Sequence, residues 1–169
     1  MTKFVALIRA INVGGHSVIT MAELKKRFEK FGYENVTTYI QTGNVLFSSG
    51  LDAQALARRL SDALSTLVLV YTKNDLKKAL SAAPFTAKDL KTRRCHLMFL
   101  AEKPKGENQK ALKVLEDKTY RFDVKDRVCY YSYPVEVIGK RKTFNLEKIL
   151  GVQSTSRTFN VVQKLDQLL

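Results

Sequence analysis

Strand and helix signals alternate over residues 1–71 in the order β-α-β-β-α-β, and this order constrains the chain more than any other feature. Lys3-Phe4-Val5-Ala6-Leu7-Ile8 is a short apolar run with no breaker, the mark of a largely buried strand. Thr20-Met21-Ala22-Glu23 has the form of a capping box, in which Thr20 accepts from the backbone three residues on and Glu23 reaches back. Met21, Leu24, Phe28 and Phe31 then recur at helical spacing until Gly32 stops the helix. Residues 36–40 and 45–48 read as strands joined by the tight turn Gln41-Thr42-Gly43-Asn44, with Gly43 supplying a positive φ. Asp52 is placed to cap a second helix with Leu56, Leu60 and Leu64 on one face, and residues 67–71 form a fourth strand. The order is that of the split βαβ, or ferredoxin-like, unit.

A second pass follows. Residues 72–82 read as a connecting helix stopped before Pro84, and residues 86–93 as a polar, basic linker. Residues 95–100 form a strand, 108–117 a helix, 119–124 and 128–133 two strands around Lys125-Asp126-Arg127, and 142–150 a helix closed by Gly151. Residues 157–169 read as a C-terminal helix whose stripe of Val161, Leu165, Leu168 and Leu169 docks on a core. The expected fold is α+β: tandem ferredoxin-like halves with antiparallel sheets and a C-terminal helix. Residues 1–71 make the first half, 72–93 the connection, and 94–169 a second half lacking its last strand. The repeated order implies a structural duplication.

Composition narrows the partners. A 45% hydrophobic content is ordinary for a globular protein, and no apolar run approaches the roughly 20 residues of a membrane span. The first residues lack the basic and apolar regions of a signal peptide, and two cysteines make no disulfide framework, so a cytoplasmic protein without a membrane role is expected. The net charge of +13 favours anionic partners, either a phosphate-bearing ligand or nucleic acid. A merely basic, soluble protein is the plainer alternative. Oligomeric state is left open.

In a split βαβ unit the first two strands run parallel, with the third antiparallel between them. The ends of the first and second strands therefore lie at one edge of the sheet. This places the loop 9–16, Arg9-Ala10-Ile11-Asn12-Val13-Gly14-Gly15-His16, beside the Thr42-Gly43-Asn44 turn. Gly14 and Gly15 let backbone N–H groups approach a ligand, and such concavities bind anions. Arg9, Asn12, His16, Thr42 and Asn44 are the polar side chains available to line the site. Alternatively, the glycines only make a turn and the asparagines only bond backbone. The pattern is neither G-x-G-x-x-G nor a Walker loop.

At these residues the chain resembles a bacterial family known as domain of unknown function 1697. The matching stretches are 4–15, 21–24, 38–47 and 155–165, the last reading Thr155-Ser156-Arg157-Thr158-Phe159-Asn160-Val161-Val162-Gln163-Lys164-Leu165. The family usually has glycine where Ala10 stands, serine at Thr42, and Arg-Asn-Trp-Asn-Thr where this chain has Arg157-Thr158-Phe159-Asn160-Val161. Arg157 and Asn160 remain in place, while the polar groups at 158 and 161 are changed or lost. The resemblance implies a tandem ferredoxin-like fold in cytoplasmic bacterial proteins and no particular activity. The candidate ligand-binding residues are Arg9, Asn12, Gly14, Gly15, Thr42, Gly43, Asn44, Arg157 and Asn160; no cofactor is implied.

Other features carry less. Gly139-Lys140-Arg141-Lys142, between a strand and a helix, suits phosphate contact or a solvated loop equally. Residues 88–94 are similar. Cys95 and Cys129 fall on neighbouring strands, where the thiols have a chance to face each other, but buried inert thiols are favoured without a Cys-x-x-Cys motif. The two histidines have no metal-ligand spacing, so no zinc site is expected. Three functions compete: an anion-binding module for nucleotide, nucleic acid or phosphometabolite; a small phosphoryl- or acylphosphate-transfer or hydrolysis enzyme, by analogy with acylphosphatases, with Arg9 on the transferring group and Asn12 or Asn44 orienting water; and a non-catalytic protein-interaction domain. RNA recognition on a ferredoxin-like sheet is a runner-up, because Phe4 and Phe47 lie on its strands but the RNP1 pattern is absent.

Overall fold

A computed structural model of the chain describes residues 1–11 and 19–169. It divides into two compact units, residues 1–78 with 163–169, and residues 79–162.

In the first unit, β1 (Thr2–Ile8) lies between β3 (Asn44–Ser49) and β4 (Val68–Thr72), and β2 (Glu34–Tyr39) pairs on the far side of β3. All pairings are antiparallel, so the strand order β2-β3-β1-β4 is that of the ferredoxin-like unit. Helices α1 (Met21–Lys30) and α2 (Ala53–Leu64) begin where their cap residues demand. Thr20 Oγ1 accepts from the Glu23 N–H at 3.1 Å, while the Thr20 N–H donates to the Glu23 carboxylate at 2.9 Å. Asp52 accepts from the N–H groups of Gln54 and Ala55, both at 2.9 Å. Leu24 and Phe28 of α1 and Leu56 and Leu60 of α2 are fully buried against Phe4, Ala6, Ile8 and Phe47 on one face of the sheet. The Phe28 ring meets the Phe47 ring edge-on at 5.3 Å. Burying each such side chain contributes about 1.5–3 kcal/mol.

The second unit repeats the order. It opens with α3 (Lys73–Ser81), whose N-terminal part belongs to the first unit, and α4 (Ala87–Thr92). The central strand β5 (Arg93–Leu100) lies between β7 (Val128–Pro134) and β8 (Ser154–Thr158), with β6 (Arg121–Lys125) outside β7. Helices α5 (Gly106–Lys113) and α6 (Leu146–Leu150) bury Leu112 and Leu150 against Met98, Leu100, Phe122 and Cys129. The final helix, α7, spans Phe159–Leu168.

Several expectations change. The second sheet is complete: residues 154–158 form a strand paired with β5, and the last helix begins at 159 rather than 157. Ser-Thr-Ser-Arg-Thr has no apolar residue, so nothing periodic marks it; its backbone bonds to β5 do. Residues 86–92 are not a linker loop. Thr86 and Asp89 make a second capping box, with the Thr86 N–H donating to Asp89 at 2.9 Å. Residues 142–150 are not one helix: a 3₁₀ segment, Val135–Lys140, precedes an extended stretch and the short α6, whose Asn145 cap accepts from the Lys148 N–H at 3.0 Å. Cys95 pairs with Ser132 and Cys129 with Met98, so the two thiols lie out of register and on opposite faces of the sheet.

Candidate functional site

The described part of the predicted two-loop site lies at one end of the first sheet. The Ile8 N–H donates to the Gly43 carbonyl at 2.9 Å, tying the end of β1 to the hairpin turn. The Arg9 N–H donates to Leu67 O at 2.9 Å, and Arg9 O accepts from Thr66 Oγ1 at 3.1 Å. Ile8 and Ile11, at the end of β1 and just beyond it, therefore lie against the turn. Gly43 has φ +76°, and a Cβ there would stand 2.5 Å from Ile11 Cγ2 and 3.1 Å from Ile8 Cβ. A glycine is needed on both counts.

The turn's polar groups hold the turn itself. Asn44 is fully buried, and its Nδ2 donates to Tyr39 O at 3.0 Å and Thr42 Oγ1 at 2.9 Å. Thr42 is exposed and Arg9 half-buried. Asn12, Gly14, Gly15 and His16 lie outside the described residues. Two non-glycine residues in the left-handed region flank the same sheet end, Ala10 at φ 51° and Ile40 at φ 49°. Ile40 is the unusual one, because a β-branched side chain rarely adopts that backbone; it is also 43% exposed.

Arg157 and Asn160 belong to the second unit. Arg157 sits on β8 opposite Leu97, is buried, and donates to Thr155 Oγ1 and Ser156 O, both at 2.8 Å. Burial pushes its guanidinium down to about 10. Asn160 is exposed on the first turn of α7.

Reading the sequence for loops missed concavities in the second unit, of which two are lined by polar and aromatic groups. One, of about 280 Å³, is lined by charged groups that already pair: Arg121 with Asp89 at 2.9 Å and Lys113 with Glu116 at 2.8 Å. The other, of about 220 Å³, opens at the end of the helix-covered face of the second sheet. There His96 on β5 stacks on Tyr131 of β7, with ring centroids 4.5 Å apart and planes 3° from parallel. The only signal for it in the sequence is the alternation that puts His96, Tyr131 and Tyr133 on one sheet face, beside the basic 140–142 stretch. Burial, aided by the charges of Arg94 and Arg141, pushes the His96 imidazole down to about 4. Burial likewise pushes the Cys95 thiol up to about 11 and Cys129 to about 12. Among the described residues no cluster of acidic, histidine and cysteine side chains is placed to hold a metal ion, and no helix is long and apolar enough to cross a membrane.

Two four-stranded antiparallel sheets, each with the ferredoxin-like strand order, define the class: a tandem split βαβ protein. The chain belongs to the family described as protein of unknown function DUF1697, whose model matches residues 1–130. Its fold is similar to that of a conserved bacterial protein from Streptococcus pneumoniae, with a TM-score of 0.72 and 22% identity over 98% of this chain and 97% of that one. A search of curated proteins gave no match.

Proposed function

We propose that this protein is a binding module for a phosphate-bearing ligand, held where the loop after β1 meets the hairpin turn between β2 and β3. The observation that carries the reading is the strained backbone at this sheet end. Ile40 and Ala10 stand in the left-handed region, at φ 49° and 51°, beside Gly43 at φ 76°. Each such non-glycine residue costs on the order of 1–3 kcal/mol, and residues of this kind cluster at ligand-holding sites. Arg9 supplies the charge at that end, and Gly14 and Gly15 would supply backbone donors. The net charge of +13 adds long-range attraction for an anion. In the hydrolytic alternative the water-orienting role falls to Asn12, because the Asn44 amide is committed to Tyr39 and Thr42 within the hairpin.

Calorimetry with inorganic phosphate, pyrophosphate and a nucleoside triphosphate at two salt concentrations tests the proposal. Binding should weaken with salt and fall at least about fivefold in Arg9→Ala, the scale of one charged hydrogen bond. If no anion binds in a salt-sensitive way, or Arg9→Ala binds as the parent does, the reading is wrong.

A further inference from the structure

The aromatic cavity of the second unit shares no residue with the loop site and carries a reading of its own. Its floor is the parallel stack of His96 on Tyr131, with the Tyr133 ring 5.7 Å from His96 and inclined by 25°. Phe144 closes one wall, meeting Tyr120 edge-on at 5.0 Å and Phe122 at 5.6 Å. Phe144 is carried there by the stretch between the 3₁₀ segment and α6. The Lys142 N–H donates to the Tyr120 hydroxyl at 2.6 Å and fixes that stretch against the sheet.

Two further facts point to an occupant. The Nε2 of His96 is shielded from solvent and has no hydrogen-bond partner among the described residues. Protein interiors rarely leave such an atom unpaired, so Nε2 is open to a partner from outside the chain. The rim is cationic: Arg141 lies over the Tyr133 ring at 5.7 Å, Lys142 is its neighbour, and both are exposed. No carboxylate is among the lining residues. Asp117, outside the lining, feels the charge of Lys142, but its oxygen is engaged by the N–H groups of Thr119 and Tyr120. The volume, about 220 Å³, falls below the ~300–1,000 Å³ of pockets that enclose a drug-sized molecule. It suits one flat ring, with the remainder of the ligand outside at the rim.

We propose that this cavity receives a nucleobase bearing phosphate. The ring stacks on the aromatic rings that line the cavity and turns an edge heteroatom toward His96 Nε2, and the phosphate meets Arg141 and Lys142. Flat rings stack on aromatic and imidazole faces whatever their sequence, and lysine and arginine take the phosphate. The carrier is either a free nucleotide or a nucleotide of a single strand; the chemistry at the cavity is the same for both. The assignment uses no residue of the loop site in the first unit and does not depend on it.

The test is a calorimetric titration of the full chain with the four nucleoside monophosphates, a short single-stranded oligonucleotide, ribose 5-phosphate, and a nucleoside without phosphate. The ring-bearing phosphates should bind, and the two controls, lacking ring or phosphate, should bind at least about tenfold more weakly. Arg141→Ser with Lys142→Ser alters only exposed side chains, so folding survives, and it should weaken binding and flatten its salt dependence. His96→Ala should weaken binding roughly 5- to 150-fold, the worth of one base–aromatic stack. Should His96→Ala fail to fold, His96→Phe keeps a ring in place and removes Nε2 together with Nδ1, and it too should bind more weakly. Arg9→Ala should change nothing at this cavity, which separates the outcome from that of the loop site. Binding by the monophosphates assigns a free nucleotide; binding by the oligonucleotide alone, lost in the same variants, assigns a strand. Equal binding of ribose 5-phosphate and nucleotide, no binding by any ring-bearing phosphate, or binding unaffected by the Arg141 and Lys142 changes would overturn the assignment.

Discussion

Replacing Gly43 by alanine probes a place where two segments distant in sequence are forced together. The backbone there has φ +76°, and an added Cβ would stand 2.5 Å from Ile11 Cγ2, 3.1 Å from Ile8 Cβ and 3.2 Å from Ile8 O. The left-handed backbone alone costs an L-residue ~1–2 kcal/mol. Steric crowding adds ~1–3 kcal/mol, because Ile11 can swing aside but Ile8 is fixed in the central strand of its sheet. Restricting the unfolded chain returns ~0.4–1 kcal/mol. The sum is a loss of about 2–4 kcal/mol. Gly32 is the internal control, since it has φ +83° but nothing within 4 Å of the position a Cβ would take. Gly32→Ala should therefore show the backbone part alone, about 1 kcal/mol. Urea unfolding followed by far-UV circular dichroism reads both as shifts of midpoint at unchanged slope. In Gly43→Ala combined with Ile11→Ala, the two losses should be less than additive, because one clash has been removed. If Gly43→Ala and Gly32→Ala lose the same stability, the close approach of loop and turn is not what demands a glycine, and the geometry drawn for the site fails with it.

Three further outcomes are expected. Ile40→Asn should stabilise the first unit by about 1 kcal/mol, because asparagine tolerates the left-handed backbone better than a β-branched residue, and a lowered urea midpoint would contradict this. His96 is held neutral in the folded state, down to about 4 against an ordinary 6.5, so the unfolded chain takes up its proton first as the pH falls. Stability should drop between pH 6.5 and about 4 by up to about 3 kcal/mol and level off below, and His96→Phe should remove that part of the pH dependence. Both thiols are buried and pushed up to about 11 and 12, so Ellman's reagent at pH 8 should label neither Cys95 nor Cys129 until denaturant is added; prompt labelling of the native protein would refute their burial.

The elements that announced themselves are those whose signals are local. The capping box of Thr20 and Glu23, the Asp52 cap, the apolar faces of Leu24, Phe28, Leu56 and Leu60, and the positive φ of Gly43 all follow from residues within a turn or two of one another. Their order sufficed for the split βαβ class, and that class brought the ends of β1 and β2 to one edge of the sheet. What local signals do not carry is the support an element receives from elsewhere. Strand β8 has no apolar residue, yet it forms because β5 offers backbone partners from Leu100 back to His96. The register of β5 on β7, set by packing across the whole sheet, separated Cys95 from Cys129 by placing them on opposite faces. The same register stacked His96 on Tyr131, and the Tyr120 hydroxyl, holding the Lys142 N–H at 2.6 Å, brought Phe144 and Arg141 to them from a segment with no regular structure. Sequence thus determined the kinds of element and their order, since propensity and capping act over a few residues. Tertiary structure alone decided which side chains share a cavity, because pairing partners and register are chosen by burial over the entire sheet.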